Sequence, residues 1–208
     1  MKSKKIYLIR HGQTDFNKKR IVQGSGVNSS LNGLGRIQAE AFYNQYKNIK
    51  FDKVYTSSLK RTVETVRKFI QQGIPHIPMD ALNEISWGDH EGKEYSEDRY
   101  AHYAEIIGKW KRGEVDVKIV NGESPLEVAE RQLEFLKAVK EDDADIVLVS
   151  SHGRAMRILL CQMLNYPLKY MDKFEHTNVC LYVINFTGSS FIIEQHNEVK
   201  HLELVDQL

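Results

Sequence analysis

Short apolar segments that each end at a polar turn alternate along this chain with segments of helical periodicity. The first, residues 5–10, stops at the turn 11–15, and residues 145–151 hold a continuous Ile-Val-Leu-Val run that stops at His152 and Gly153. A continuous apolar run of this kind is typical of a strand that is covered on both faces. Because such strands alternate with helices, the sequence predicts an α/β fold, a three-layer α/β/α sandwich around a mostly parallel sheet.

Apolar runs and helical periodicity also predict the positions of the other strands and helices. Helices are predicted over 35–46, 59–70, 125–140 and 153–164, and strands over 53–57, around Ile77, and over 179–186 and 190–194 as a closing hairpin. The helix at 125 has the clearest start, with Ser124 as its cap and Pro125 at its first position. Residues 88–123 are rich in tyrosine and charge but weakly periodic, so we expect an insertion or lid over a single domain spanning 1–208.

The charge balance limits the partners that this protein can have. The chain has 29 lysine and arginine residues against 28 aspartate and glutamate residues, a formal net charge of +1. We therefore expect no nucleic-acid or membrane partner, because both need a basic surface, and any anion must be bound by a few local charges. The longest apolar run, residues 179–184, is far too short to span a bilayer.

Cysteine usage and the first residues bear on the compartment. Cys161 and Cys180 lack the spacing of a zinc or redox pair, and the first residues lack the apolar stretch of a signal peptide. We expect a cytoplasmic protein with reduced, buried thiols. A homodimer through a sheet edge or the insertion stays open, because no residue pattern supports one in particular.

Polar residues follow the predicted strands at the positions where each strand ends. Arg10 ends the first strand and His11 follows it, while Arg61 follows the second strand, Glu84 the third and His152 the next. Because ligands of open α/β sheets bind beyond the carboxyl ends of the strands, we expect these side chains to meet at one edge. Two arginines, two histidines and a carboxylate have the composition of a phosphoryl-transfer site that uses no metal or other cofactor.

Each residue type has a role in such a site. The planar fork of an arginine matches the oxygens of a phosphoryl group, which suits Arg10 and Arg61. A neutral imidazole can attack phosphorus and form a covalent intermediate, although the residues alone leave open which histidine attacks. Glu84 is placed to protonate the leaving alkoxide and later to accept a proton from water.

Motifs for other chemistries are missing. The sequence has no P-loop and no serine-hydrolase elbow, and the start of a dinucleotide fingerprint at residues 24–26 is not completed. No histidine pair or cysteine cluster has the spacing of a zinc site, so we expect no metal.

Several conspicuous residues have a plainer interpretation. The histidines outside the site are interpreted as surface or structural residues: His76, His90, His102, His176, His196 and His201. A basic group in the insertion could bind a second anion of the substrate, although a solvated face is favoured: Lys109, Lys111 and Arg112. Four aromatic residues could stack on a ligand, although packing against the core is favoured: Tyr95, Tyr100, Tyr103 and Trp110.

The segment Leu8-Ile9-Arg10-His11-Gly12-Gln13-Thr14, followed by Asn17, closely resembles the signature of the histidine phosphatase superfamily, also called the phosphoglycerate mutase-like family. The likeness continues in order through residues 22–24, 57–61, 83–92, 122–124 and 149–153. It implies a phosphoglycerate mutase-like fold in which His11 becomes phosphohistidine. It also implies roles for the other residues: Arg10, Arg61 and His152 around the phosphoryl group, Glu84 as proton donor, Asn17 as a further phosphate contact, and Thr14, Gln23 and Gly24 lining the pocket.

Two departures from the family pattern concern substrate binding. The segment 23–31 is one residue longer than usual, with Ser30 in place of a proline, and the insertion lacks the proline-rich stretch of the mutases. The resemblance thus favours a metal-independent phosphatase that acts on a small phosphorylated metabolite. The alternatives are a phosphoglycerate mutase and a module that binds phosphorylated ligands without turnover.

Overall fold

The computed structural model describes residues 2–94, 96–203 and 205. The strands are β1 Lys4–Arg10, β2 Lys53–Thr56, β3 His76–Pro78, β4 Ile146–Ser151, β5 Leu181–Phe186 and β6 Phe191–Glu198. The helices are α1 Asp15–Lys18, α2 Gly33–Tyr46, α3 Lys60–Thr65, α4 Arg67–Gln71, α5 Glu97–Arg112, α6 Pro125–Glu141 and α7 Gly153–Met163. Short 3-10 turns lie at Asp80–Leu82, Gly88–His90, Leu168–Lys173 and Lys200–Leu202. Within these ranges, none of the helices combines the length and hydrophobicity that crossing a membrane requires.

The strands form one sheet in the order β3-β2-β4-β1-β5-β6. The first four run parallel to one another, whereas β5 is antiparallel to both β1 and β6. Arg10 pairs with Ser151, so β1 and β4 end side by side. The predicted α/β class with a mostly parallel sheet is confirmed, and the turns after these strands emerge at one edge.

Alternate side chains of the central strands pack into two hydrophobic cores, one on each face of the sheet. Leu8 of β1 belongs to a cluster with Phe135 of α6, whereas Ile9 joins Phe42 of α2 and Phe69 of α4 in the other cluster. Successive residues of a strand point to opposite faces, so a strand with apolar residues at every position needs helices on both sides. This gives the three layers that the sequence predicts.

The helix predicted over 59–70 is divided at Val66, where α3 ends and α4 begins. Val66 has φ −108° and ψ 12°. The hydroxyls of Thr62 and Thr65 donate to the carbonyl oxygens of Leu59 and Arg61 at 2.8 and 2.6 Å. Threonine hydroxyls that bond the preceding turn bend helices, and β-branched residues are stiff within them. Helical periodicity alone does not register this interruption.

The closing hairpin begins and ends later than predicted. Val179 has a positive φ of 58° and donates its N–H to the carbonyl oxygen of Arg10 at 3.1 Å, and β5 begins only at Leu181. The second strand continues to Glu198, which pairs with Leu181. Because β6 is an exposed edge strand, its polar end carries no apolar signal in the sequence.

Residues 88–123 contain a long helix, α5, that the sequence pattern did not reveal. Ser96 caps this helix, and it ends at Gly113 in the left-handed conformation with φ 101°. Only Ile106 and Trp110 are buried along its length, which explains the weak periodicity. Trp110 packs into the core as predicted, with its Nε1–H donating to the carbonyl oxygen of Val117 at 2.8 Å.

The basic residues near the end of α5 pair locally. Lys109 lies 2.8 Å from Glu105, and Arg112 lies 3.0 Å from Glu114. Cations are favourable at the carboxyl end of a helix, so this position has a structural reason. None of the basic group at 109–112 lines the cavity described below. Tyr95 lies outside the described residues.

Candidate active site

A cavity of about 570 Å³ opens at the sheet edge where β1 and β4 end. Five of the residues predicted for the site line it: Arg10, His11, Asn17, Gln23 and Glu84. The other four are buried behind this lining: Arg61, His152, Thr14 and Gly24. The structure therefore brings all the predicted residues to one region but divides them into a lining and a support.

His11 follows β1 directly and is 2% exposed. Its Nδ1 lies 2.7 Å from the carbonyl oxygen of Gly12. Because a carbonyl oxygen only accepts, Nδ1 carries the proton and donates it, and Nε2 keeps its lone pair. Burial, together with the charges of Arg61 and Arg10, holds the pKa of His11 well below its usual range. At neutral pH His11 is an uncharged imidazole with Nε2 unprotonated.

The turn that carries His11 depends on a close approach between two glycines. A Cβ on Gly12 would lie 2.6 Å from the carbonyl oxygen of Gly35, and one on Gly35 would lie 2.1 Å from that of Gln13. The N–H of Gly12 also donates to the hydroxyl of Thr65 at 2.9 Å. These contacts with α2 and α3 fix the backbone from which the imidazole projects.

Arg10 is held by a histidine to which the sequence pattern assigned no site role. Nη1 of Arg10 donates to Nδ1 of His176 over 3.1 Å. Burial and the charge of Arg10 lower the pKa of His176 to about 2, so its ring stays neutral and accepts. The buried Nε of Arg10 has no hydrogen-bond partner in the described part of the chain. His176 packs on Gly153, where a Cβ would lie only 2.7 Å from its Cε1.

Arg61 and His152 form a buried hydrogen-bond network beneath the cavity. Nε of Arg61 donates to Nδ1 of His152 over 3.1 Å, and its Nη1 and Nη2 donate to the carbonyl oxygens of Val27 and Gly24 at 2.6 and 3.1 Å. Since Nδ1 of His152 accepts, its Nε2–H donates to the hydroxyl of Ser57 at 2.8 Å. Burial and the charge of Arg61 hold the pKa of His152 well below its usual range. Burial lowers the pKa of Arg61 to about 10, so it stays cationic at neutral pH.

This network differs in detail from the pocket that the resemblance implies. The ring centroids of His11 and His152 are 5.1 Å apart, but both nitrogens of His152 are already hydrogen-bonded. Arg10 is the arginine of the predicted pair that lines the cavity. Arg61 does not line the cavity and acts on the site through the electrostatic effect of its charge.

Glu84 reaches the cavity from the segment that follows the 3-10 turn Asp80–Leu82, and it is 7% exposed. Its carboxylate accepts from the N–H groups of Arg154, Ala155 and Ile85 at 3.1, 2.9 and 3.0 Å. The first two of these N–H groups belong to the first turn of α7, where helical N–H groups have no partner within the helix. Glu84 is thereby fixed to the helix that follows β4.

Thr14 and Asn17 organise the loop beside His11. Their side chains accept reciprocally from each other's N–H groups at 3.2 and 3.1 Å, which starts α1 with a capping box. The hydroxyl of Thr14 donates to Oε1 of Gln23 at 3.2 Å, and Nδ2 of Asn178 donates to Oδ1 of Asn17 at 3.3 Å. Because Oδ1 of Asn17 is occupied, its Nδ2 is the end of the amide left for a ligand.

Sequence reasoning missed the residues that precede β5. His176 and Asn178 line the cavity, and Nδ2 of Asn178 also donates to the carbonyl oxygen of His11 at 2.9 Å. Because β5 is antiparallel to β1, the residues before β5 lie at the same edge as those after β1. The order and direction of the strands were the signal needed to find them.

The remaining wall of the cavity is cationic and aromatic. Arg154 and Arg157 both pair with Asp172, and the guanidinium of Arg154 lies 5.9 Å from the ring centroid of Trp87. The wall also contains Glu94 and further cations and tyrosines: Arg20, Lys93, Arg99, Tyr100 and Tyr103. Tyr103 packs against the core as predicted and also lines the cavity, whereas Tyr100 is an exposed residue of the cavity wall. Within the described ranges, no three His, Cys, Asp or Glu side chains converge as metal ligands.

A model of the histidine phosphatase superfamily (branch 1) matches residues 6–199. The chain belongs to this superfamily. A broad-specificity phosphatase of Saccharomyces cerevisiae is 30% identical, in an alignment that covers 95% of this chain and 87% of that protein. A 2,3-bisphosphoglycerate-dependent phosphoglycerate mutase of Parvibaculum lavamentivorans is 32% identical over 170 residues, which cover 76% and 79%.

A solved structure of known fold superposes on this chain. Bacillus stearothermophilus YhfR superposes with a TM-score of 0.83 at 26% identity, covering 96% of this chain and 100% of that one. The predicted family and its phosphoglycerate mutase-like fold are confirmed. The names of the relatives support the predicted enzyme class, a phosphoric monoester hydrolase, and include mutases as well.

Proposed function

We propose that this protein is a metal-independent phosphatase that hydrolyses a small phosphomonoester through a phosphohistidine formed on His11. The observation that carries the proposal is the state of His11, which is neutral, donates Nδ1–H to the carbonyl oxygen of Gly12 and lines a cavity with many cations. A neutral imidazole is a nucleophile, whereas a protonated one has no lone pair to give.

In the first half of the reaction, Nε2 of His11 attacks phosphorus and the bond from phosphorus to the alcohol oxygen breaks. Glu84 transfers a proton to that oxygen, so a neutral alcohol leaves. The buried Nε–H of Arg10 donates to the phosphoryl oxygens, and Arg61 adds a fixed positive charge from beneath, helped by the neutral His152 that it holds.

In the second half, a water molecule attacks the phosphorus of the phosphohistidine. Glu84 takes a proton from this water, the bond from nitrogen to phosphorus breaks, and inorganic phosphate leaves as Nε2 regains its lone pair. Asn17 and Gln23 contribute further contacts to the phosphoryl group from the cavity wall. Thr14 and Gly24 act indirectly, because they hold Gln23 and Arg61 in place.

The substrate class follows from the wall of the cavity. Arg20 and Lys93 line it and are exposed, and Tyr100 and Tyr103 supply aromatic faces. These residues suit a small phosphorylated metabolite that carries a second anionic group. Since many of them come from residues 88–123, this segment acts as the substrate-selecting lid of a single domain. The free, buried thiols of the chain support a reducing, cytoplasmic compartment.

The test is to incubate the pure protein with a panel of phosphorylated metabolites and to follow phosphate release, isomer formation and phosphoenzyme. We expect phosphate release, a phosphoenzyme that is labile to acid and stable to alkali, and no effect of a chelator. His11→Ala is expected to abolish all turnover, whereas His196→Ala, at an exposed position of β6, is expected to retain it.

Other outcomes would overturn the proposal in defined ways. Full activity of His11→Ala, or loss of activity with the chelator, would contradict the mechanism. Interconversion of phosphoglycerates that far outpaces phosphate release would identify a mutase. Binding of phosphorylated ligands without any turnover by the wild-type protein would identify a binding module.

A further inference from the structure

Arg131, on α6, forms hydrogen bonds with the backbone of the chain segment from which Glu84 projects. Nη1 of Arg131 donates to the carbonyl oxygens of Asp80 and Ala81 at 3.2 and 2.8 Å, and Nη2 donates to those of Asn83 and Glu84 at 2.9 and 3.1 Å. One guanidinium thus holds four carbonyl groups of five consecutive residues, 80–84.

Glu123 binds both Arg131 and the backbone on the other side of Glu84. Its Oε1 accepts from Nε of Arg131 at 2.8 Å, and its Oε2 accepts from Nη2 at 3.2 Å. Oε2 also accepts from the N–H of Ser86 at 2.8 Å, and the N–H of Glu123 donates to the carbonyl oxygen of Ser86 at 2.8 Å. The backbone is therefore anchored both before and after Glu84.

The Arg131 side chain is 21% exposed and lies outside the lining of the cavity. It cannot touch a substrate there, so its hydrogen bonds influence the reaction through the segment of Glu84. Its charge reaches further and helps to lower the pKa of His152, after burial and the larger effects of Arg61, His11 and Arg10. The carboxylate of Glu84 has its own anchor on the N–H groups of Arg154 and Ala155. The two anchors act at different points, because Arg131 fixes the Glu84 backbone and α7 fixes its carboxylate.

We propose that Arg131, together with Glu123, is a positioning residue for the proton transfer by Glu84. This inference rests on the proposed function, in which Glu84 protonates the leaving alcohol. An acid must lie within hydrogen-bond reach of the oxygen that it protonates, and a displacement of about 1 Å can cost about 100-fold in rate. Arginine is required because its planar guanidinium donates to several acceptors at once, whereas the ammonium group of a lysine is a compact charge that cannot span them.

The test uses leaving groups that differ in their need for a proton. An alkyl phosphate requires protonation of a strongly basic alkoxide, whereas p-nitrophenyl phosphate releases a stable phenolate. For each variant, kcat/KM is measured on p-nitrophenyl phosphate and on the alkyl phosphate that the wild-type protein hydrolyses fastest. The ratio of the two values is independent of the fraction of protein that is folded, because both come from one preparation.

We expect Arg131→Gln and Arg131→Lys to lower the alkyl-to-aryl ratio of kcat/KM by at least about 10-fold, since general acid catalysis contributes about 10²- to 10⁴-fold. Glu123→Gln should lower it in the same direction and by less. Lys137→Gln, an exposed cation on the same helix, is the matched control and should leave the ratio within about twofold of the wild type.

The double variant Glu84→Gln/Arg131→Gln decides whether the effect passes through Glu84. We expect its ratio to equal that of Glu84→Gln, because a positioning residue has nothing left to position. A ratio unchanged in Arg131→Gln, or a further fall in the double variant, would overturn the proposal and leave Arg131 a purely structural residue. Absence of phosphate release from every substrate would instead overturn the proposed function itself.

Discussion

The Nδ1–H of His11 donates to the carbonyl oxygen of Gly12, the next residue in the chain, over 2.7 Å. A backbone carbonyl fixes the tautomer of the ring without adding a negative charge that would favour the imidazolium. Burial and the charges of Arg61 and Arg10 lower the pKa of His11, so the ring is held neutral with Nε2 unprotonated. The same turn therefore supplies the proposed nucleophile and the group that orients it.

Three histidines that are neutral in the folded protein make the fold sensitive to acid. The pKa values of His11, His152 and His176 are lowered in the folded protein, mainly by burial, below the unfolded value of about 6.5. Below about pH 6.5 the unfolded chain binds more protons than the folded one. The free energy of unfolding therefore falls as the pH falls, by up to about 1.4 kcal/mol per pH unit for each histidine.

Urea denaturation between about pH 7.5 and about pH 4.5 measures this dependence. His176→Gln removes one of these three neutral rings, so we expect a shallower loss of stability on acidification than in the wild type. His196→Gln, at an exposed position of β6, serves as the control. An unchanged slope in His176→Gln would contradict the assignment of a neutral ring whose pKa is lowered by folding.

Gly153→Ala is expected to lower kcat/KM by about 10- to 100-fold while the protein stays folded. The added Cβ would lie 2.7 Å from Cε1 of His176, so this ring would have to shift, and with it the acceptor of the hydrogen bond from Nη1 of Arg10. Gly33→Ala is the matched control, since Gly33 also begins a helix and nothing lies within 4 Å of its Cβ position. Equal kinetics for the two variants would show that this packing has no role in activity.

Arg61→Lys tests the buried network. A single ammonium cannot reach the carbonyl oxygens of Gly24 and Val27 and Nδ1 of His152 together, so buried acceptors lose their donors. We expect a loss of about 2 to 3 kcal/mol in the free energy of unfolding and about a 100-fold fall in kcat/KM. Urea denaturation and steady-state kinetics measure both, with the exposed Arg67→Lys as control. Wild-type stability of Arg61→Lys would refute the importance of these hydrogen bonds.

Arg20→Gln should raise KM for phosphomonoesters that carry a carboxylate by about threefold, and KM for p-nitrophenyl phosphate by less. Arg20 is an exposed cation on the cavity wall, and an exposed charge contributes up to about 1 kcal/mol. The difference between the two substrates should shrink at high salt, because salt screens exposed charges. A rise in KM that is equal for both substrates would argue against a second anion site at Arg20.

Local sequence determined much of the fold and of the site. The apolar runs located β1 and β4 because a strand buried on both faces has to be apolar throughout. Arg10 ends β1, and His11 and His152 follow β1 and β4 directly. It did not reveal α5, since only Ile106 and Trp110 are buried along that helix. A periodicity signal requires a continuous buried stripe, which α5 does not have.

The tertiary structure alone decided which groups hold the predicted residues. His176 meets Arg10 because β5 runs antiparallel to β1, and Arg131 meets the segment of Glu84 because α6 packs beside it. The partners in these contacts lie far apart in the sequence, so no local propensity encodes them. The neutral state of His11 also arises only after folding, because burial and neighbouring charges set its pKa. The sequence by itself specified the reactive groups, and the packing of distant segments specified their protonation and geometry.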